Sequence, residues 1–210
     1  EIMPSLVGSE MCIRDRFSVG KVIMPEIPDS ILPTSRHFEE MLDVIGSKDI
    51  TAEYSRTGTE IKLDSGAVLR IIAPVHSDYS SLNNYSIACR LVHGNRSFLF
   101  TGDIERAAEN DIVNSAEYLK SDVLKVAHHG STSSSTPAFL EAVMPEYAVI
   151  EVGEGNSYGH PKPEVVKRLN SLGAQILTTM ECGNIVFVSD GEQLTIHTDN
   201  EITDRTEEAA

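Results

Sequence analysis

Residues 98–131, FLFTGDIERAAENDIVNSAEYLKSDVLKVAHHGS, decide the fold of this chain. Two short apolar runs, Phe98 to Phe100 and Val123 to Ala127, each lead into metal-capable side chains: Asp103 after the first, His128 and His129 after the second. Between them Ile104, Ala107, Ala108, Ile112 and Val113 recur at helical spacing, with Glu105, Arg106, Glu109 and Asp111 on the remaining positions. The pattern predicts strand, helix, strand. In an α/β layer fold, parallel strands present their carboxyl ends on one edge, so a carboxylate and imidazoles placed there can converge. A Gly-Asp pair after a strand is by itself ordinary turn chemistry. Two adjacent histidines followed by Gly-Ser and a Ser/Thr run are less ordinary. If the strand continues through them, neighbouring side chains point to opposite faces, so one ligates and the other orients a ligand, donates a proton or faces solvent.

Upstream, Gly20 to Met24 reads as a strand, followed by a loop punctuated by Pro25, Pro28 and Pro33. Thr34 or Ser35 caps a helix with Phe38, Met41, Leu42 and Ile45 on one face, and His37 lies beside that face as a surface residue. Glu60 to Leu63 and Ala67 to Ala73 form a hairpin across Asp64-Ser65-Gly66. Tyr85 to Val92 and Arg96 to Phe100 form another, across His93-Gly94-Asn95, with His93 in the turn. Asn84 and Ser86, in the polar block before that strand, can hydrogen-bond a phosphate or orient a ligand; ordinary loop polarity explains them as well.

Downstream of Ser131, Thr136-Pro137 opens a helix with proline in its first turn, and Tyr147 to Val152 is a strand. The loop Gly153 to Pro163, GEGNSYGHPKP, is long and carries Tyr158 and His160; loops of this kind often hold function on a rigid scaffold. Val165 to Leu172 is an amphipathic helix, and Ile176 to Thr179, Ile185 to Val188 and Gln193 to His197 are closing strands, with His197 on the surface.

The chain has 210 residues, 40% of them hydrophobic, which suffices for one sizeable core. No stretch is long and apolar enough to cross a bilayer. With 17 Lys+Arg against 32 Asp+Glu, a net charge of −15 argues against a broad nucleic-acid-binding surface but leaves room for a local basic path. Cys12, Cys89 and Cys182 are too far apart for a disulfide framework or a zinc ribbon. Residues 1–16, EIMPSLVGSEMCIRDR, lack both the basic start and the apolar core of a signal peptide and read as a non-native leader, similar to translated sequencing-adapter read-through. The domain is expected over 17–198, and the acidic tail 199–210 is expected to be disordered.

LFTGDIE, DVLKVAHHGSTSSS and the run from AVIEVG to NSYGHP together resemble the C-terminal half of a metallo-β-lactamase-fold hydrolase. More narrowly, they resemble the hydrolase domain of ComEC-type competence DNA-uptake proteins and its stand-alone relatives, from about Phe17 to about Thr198. The resemblance implies an αββα sandwich and two divalent metal ions, zinc or manganese, with Asp103 bridging them and His128 or His129 as a ligand. It leaves His160 either a final ligand or a proton donor, gives His129 a catalytic share, and makes Asn84, Ser86, Ser131 and Tyr158 candidates for substrate contact. The implied chemistry is phosphodiester hydrolysis, with single-stranded DNA as the competence-linked substrate. The implied location is the extracytoplasmic face of the membrane for a competence protein, or the cytoplasm for a stand-alone enzyme.

One departure stands out. The superfamily's HxHxDH-type motif has no counterpart, because before Asp103 the histidines are His37, His76 and His93, none within three residues of another. The expectation is therefore a domain missing part of its N-terminal half, poor in metal, with an apolar sheet face and a strand edge left open. The alternative function is a non-catalytic domain that keeps the fold for binding or assembly.

Overall fold

A computed structural model describes residues 18–115 and 117–202, and the chain divides into two compact units, 1–55 and 56–210. The expected leader, 1–16, lies outside the described residues, as does the end of the acidic tail, 203–210.

The smaller unit is a β-α-β element. Strand β1 (Lys21–Met24) pairs in parallel with β2 (Thr51–Tyr54), and helix α1 (Arg36–Ser47) connects them. Ser35 caps α1, its Oγ accepting from the Phe38 N–H at 3.3 Å. Phe38, Met41 and Ile45 are half-buried as expected, whereas Leu42, placed on the same face by spacing, is 39% exposed. Strand β2 was not foreseen: all four residues of TAEY are exposed, so they carry no apolar alternation to read.

The larger unit is built on a seven-stranded sheet in the order β3-β4-β5-β6-β7-β8-β9. Strands β3 (Glu60–Lys62), β4 (Val68–Ala73), β5 (Ala88–His93) and β6 (Arg96–Phe100) run antiparallel as the two predicted hairpins. His93 is the last residue of β5, paired with Arg96, and not a turn residue. The two-residue turn is Gly94-Asn95, and Gly94 at φ 57° supplies the left-handed first position that such turns need.

From β6 onward the sheet is parallel. Helix α2 (Arg106–Asn114) leads to β7 (Val123–Lys125), α3 (Pro137–Val143) to β8 (Tyr147–Ile150), and α4 (Pro163–Ser171) to β9 (Gln175–Thr178). Pro137 and Pro163 each open a helix, where the missing N–H costs nothing. A short helix α5 (Thr179–Cys182) follows, capped by Thr178, and then β10 (Ile185–Ser189) and β11 (Leu194–Thr198) form a separate antiparallel hairpin.

Alternation along the strands sets the layers. Leu99, Leu124, Ala148, Ile150 and Leu177 are fully buried on the helix side, with Ile112, Leu140, Val143, Val165 and Leu169 of the helices. Each such aliphatic side chain contributes about 1.5–3 kcal/mol of burial. On the opposite face Phe187 of the hairpin meets Phe98 and Tyr147 edge-on, with ring centroids at 6.2 and 5.7 Å. Within this unit the second β layer is thus the β10-β11 hairpin, and an open groove of about 480 Å³ runs between it and the sheet past Leu91, Phe98, Phe100 and Val149. The mixed α/β architecture is that of a metallo-β-lactamase-like domain. Asp199 and Asn200, assigned to the disordered tail, are tied down: Asp199 Oδ2 accepts from the N–H and the side-chain amide of Asn184, and the Asn200 amide donates to Glu181 O. Among the described residues no helix is long and apolar enough to cross a membrane.

Candidate functional site

Asp103 follows β6 at the carboxyl edge of the parallel strands, where Thr101 Oγ1 donates to Lys125 O at 2.6 Å and ties the ends of β6 and β7 together. Gly102 has φ 54°, and a Cβ there would sit 2.8 Å from the Ser86 Cβ, so the turn closes only with glycine. Ser86 Oγ accepts from the Asp103 N–H at 3.1 Å and fixes the turn. Asn84 is buried, and its Oδ1 accepts from the N–H groups of Glu105 and Ala108 at 2.9 and 3.3 Å, satisfying the start of α2. Both residues, candidates for substrate contact, hold the backbone around Asp103 in this structure.

The histidine pair does not lie on a strand. Strand β7 stops at Lys125, and His128 (φ 48°, ψ 43°) and His129 (φ 55°, ψ 23°) take left-handed conformations before Gly130 at φ 80°. Strand alternation therefore does not set the two imidazoles apart, as the sequence reading supposed; the turn does. Left-handed backbone at non-glycine residues costs of order 1–3 kcal/mol each, and it persists only where the surroundings enforce it. They do so here: the His128 N–H donates to Gly102 O at 3.2 Å, and the Lys162 N–H donates to Gly130 O at 2.9 Å. The three loops bearing Asp103, His128/His129 and His160 are thereby stitched backbone to backbone.

His129 is buried. Its Nδ1 lies 2.6 Å from Glu151 O, an atom that can only accept, so Nδ1 carries the proton and Nε2 presents a lone pair. That Nε2 has no hydrogen-bond partner and faces Asp103 Oδ1 at 3.6 Å. Two acceptors aimed at each other in a buried site repel unless a cation or a proton lies between them. Two ligands bonded to one zinc ion at about 2.0–2.2 Å in tetrahedral geometry stand roughly 3.4 Å apart. Asp103 and His129 thus fit a shared divalent ion, and the Nδ1–H to carbonyl bond is the outer-shell contact expected of a ligating imidazole.

His128 is more open. Its Nδ1 is 3.2 Å from Ser133 Oγ and 3.6 Å from Glu105 Oε1, and Ser131 Oγ lies 3.0 Å from Ser133 Oγ. Ser131 therefore reaches His128 through Ser133. The His160 ring meets the His128 ring edge-on, with centroids 6.0 Å apart, and its Nδ1 is buried without a partner. Burial, with Lys162, His128 and His129 nearby, pushes the His160 pKa below the usual histidine range, against the opposing pull of Asp103. Tyr158 lies parallel to the His160 ring at 6.0 Å and is 43% exposed. Asp103, His128, His129 and His160 accordingly share one edge of the sheet, with Tyr158 and Ser131 at its margin, while Asn84 and Ser86 stand behind it. Among the described residues no group of three or more His, Cys, Asp and Glu side chains is close enough to hold a metal ion.

Sequence reasoning missed Glu109. It was placed among the polar positions of α2, yet it is fully buried, while Ala107 on the supposed apolar face is exposed. Glu105 beside His128, and Asn156, which brackets His160, were also missed; an Asn four residues before a loop histidine is the signal that was available for the latter.

Comparison with known proteins gives the family of the chain. The Metallo-beta-lactamase superfamily profile matches residues 13–153. ComE operon protein 3 of Bacillus subtilis is 30% identical over 149 residues, 71% of this chain and 19% of that protein. Competence protein ComA of Neisseria gonorrhoeae is 40% identical over 106 residues, 50% of this chain and 15% of the relative. Recombination protein 2 of Haemophilus influenzae is 31% identical over 120 residues, 57% of the chain and 15% of the relative. The matched stretch thus spans about a fifth or less of each of these relatives. The chain belongs to the metallo-beta-lactamase superfamily, and its relatives include competence proteins.

Proposed function

We propose that this chain is a metal-dependent phosphodiesterase domain that acts on single-stranded DNA in connection with competence. The observation that carries the metal reading is the buried, unpartnered Nε2 of His129 facing Asp103 Oδ1 at 3.6 Å. Superfamily membership and the competence relatives support hydrolysis and DNA handling. Asp103 and His129 would hold a divalent ion, zinc or manganese. When bound, such ions lower the pKa of water from about 15.7 towards neutrality and polarise a phosphoryl oxygen.

The chain's own residues do the rest. The Glu151 carbonyl keeps His129 in the ligating tautomer, and the Gly102 and Gly130 carbonyls fix the spacing of the three loops. His160, beside His128, is placed to pass a proton to the leaving oxygen, and because burial and its basic neighbours lower its pKa, it would do so as a neutral ring that first takes the proton up. Tyr158 offers an exposed ring for a base to stack on.

Titration of the 210-residue protein with zinc and with manganese tests the metal reading, alongside hydrolysis of a single-stranded oligonucleotide. Metal binding that disappears in His129→Ala and Asp103→Ala supports it. Binding unchanged in both variants overturns it. A second reading, a binding or assembly domain without turnover, is favoured by one observation: among the described residues no third donor joins Asp103 and His129 closely enough to complete a set of three. Oligonucleotide binding without hydrolysis at saturating metal selects that reading.

A further inference from the structure

We infer that Glu109 is a positioning residue which, with Arg168, clamps the backbone of Ser134 to Thr136 and so holds the His128-His129 turn against Asp103; the inference rests on reading Asp103 and His129 as the site. Glu109 is 0% exposed, in the first turn of α2. A buried carboxylate is tolerated only when its oxygens are satisfied. Both are: Oε1 accepts from the Ser135 N–H at 2.5 Å and Oε2 from the Thr136 N–H at 2.8 Å.

Those N–H groups belong to the cap residue of α3, Thr136, and to the residue before it, and Thr136 makes no side-chain cap bond of its own. Glu109 therefore fixes the entry of the chain into α3 from a different helix, the one that leaves the Asp103 turn. From the other side Arg168 Nη1 of α4 donates to Ser135 O at 3.1 Å. Ser135 itself stands at φ 54°, a left-handed conformation with no glycine to ease it. Donors and acceptors of one strained backbone segment are thus gripped by two side chains, Glu109 from the helix after Asp103 and Arg168 from the helix after the His160 loop.

The clamp reaches the imidazoles over a few residues. Ser134 Oγ donates to Ile104 O at 2.6 Å, the Arg106 N–H donates to Ser133 O at 2.9 Å, and Ser133 Oγ meets His128 Nδ1 at 3.2 Å. The Ser131 N–H closes the turn on His128 O at 2.9 Å. A core carboxylate present only for stability would require none of this continuity with the turn.

The test reads the Nδ1 proton of His129, which donates to Glu151 O, by nitrogen-resolved NMR of the 210-residue protein. Its hydrogen exchange is measured relative to the Leu124 amide, so that global unfolding cancels. Glu109→Gln keeps the shape but sets an NH₂ group against one of the two backbone N–H groups. Relative exchange is expected to rise by about tenfold or more, the equivalent of a lost charged hydrogen bond. Arg168→Met, on a half-exposed side chain, is expected to give a smaller rise in the same direction and decides the matter if Glu109→Gln fails to fold. Tyr79→Phe also removes a hydrogen bond to α2, through Asp111 and not through Glu109, and should leave the ratio unchanged. An unchanged ratio in Glu109→Gln and Arg168→Met, or an equal rise in Tyr79→Phe, overturns the clamp. None of these readings uses turnover, so absent phosphodiesterase activity bears on the proposed function and not on the clamp.

Discussion

Residues 126–136 and residues 151–162 both leave the carboxyl end of a parallel strand and both deliver imidazole to the same edge, yet they are held in different ways. The first loop is gripped from outside, by Gly102 O, Glu109, Arg168 and Lys162, and three consecutive residues are kept left-handed. The second closes largely on itself: Asn156 accepts from the His160 N–H at 2.9 Å and donates to His160 O at 2.8 Å, while Lys162 Nζ donates to Tyr158 O at 2.7 Å. A loop fixed by its neighbours suits a ligand whose position must not drift. In the second loop the part around His160 is self-contained and can adjust to a substrate while Glu151 and Lys162 at its two ends stay bonded to His129 and Gly130.

The largest expected effect separates the two loops by chemistry. If the chain is the proposed metal-dependent phosphodiesterase, His160→Ala should lower turnover by about 10² to 10⁴, the range of a general acid, while leaving metal content intact. His129→Ala should lose the metal. The His160 defect should shrink on a nitrophenyl phosphodiester, whose leaving group needs no proton. Metal loss from His160→Ala, measured by elemental analysis, would break the comparison and make His160 the final ligand.

Stability should separate them next. A Cβ at Gly130 would lie 2.8 Å from the Pro161 Cβ at φ 80°, whereas at Gly155, φ 67°, it meets nothing within 4 Å. Gly130→Ala is therefore expected to cost about 3 kcal/mol, conformational strain plus overpacking, and Gly155→Ala about 1 kcal/mol from conformation alone. Urea denaturation of the two variants measures the difference; equal costs would show that the first loop is no more constrained than the second.

A smaller effect probes the adaptable loop. Tyr158 is 43% exposed and stacked on His160. Tyr158→Ala should weaken a single-stranded oligonucleotide by about 1–3 kcal/mol per stacked base. It should leave the nitrophenyl substrate unaffected. Equal losses on both substrates would mean that Tyr158 merely props His160.

The contrast also explains how much could be read in advance. Residues 98–131 announced strand, helix and strand because their apolar runs alternate with helical spacing, and the edge carrying Asp103 and the histidines followed from parallel connection. The conformation of His128 and His129 could not be read, because it is imposed by carbonyls and side chains distant in sequence. Glu109 was illegible for a related reason: a charged residue in an amphipathic helix reads as solvent-facing, and only the unsatisfied N–H groups of Ser135 and Thr136 turn it inward. Strand β2 escaped notice because TAEY is exposed throughout, and its pairing with β1 rests on the backbone ladder and the Lys21–Glu53 ion pair and not on apolar side chains.

Helix α2 has one more brace, separate from the Glu109 clamp, and its effect is the smallest and depends on pH. Tyr79 OH donates to Asp111 Oδ2 at 2.8 Å, and burial, reinforced by that bond, pushes the Tyr79 pKa up to about 12. The unfolded value is about 10, so the folded state keeps its proton where the unfolded chain begins to lose it. The stabilisation is therefore fully present below pH 10 and is lost as pH rises towards 12. Below pH 10 Tyr79→Phe should be less stable than the parent by about 1 kcal/mol, the net value of a buried hydrogen bond. Above it the parent alone titrates at this position, losing up to about 1.4 kcal/mol per pH unit, so the two stability curves should converge and meet near about pH 11. Chemical denaturation of both proteins from pH 8 to 11 follows this directly, since the other tyrosines and lysines titrate equally in each. A constant gap across that range would mean that the Tyr79 hydroxyl is not held by Asp111, and that α2 is fixed at its Glu109 end alone.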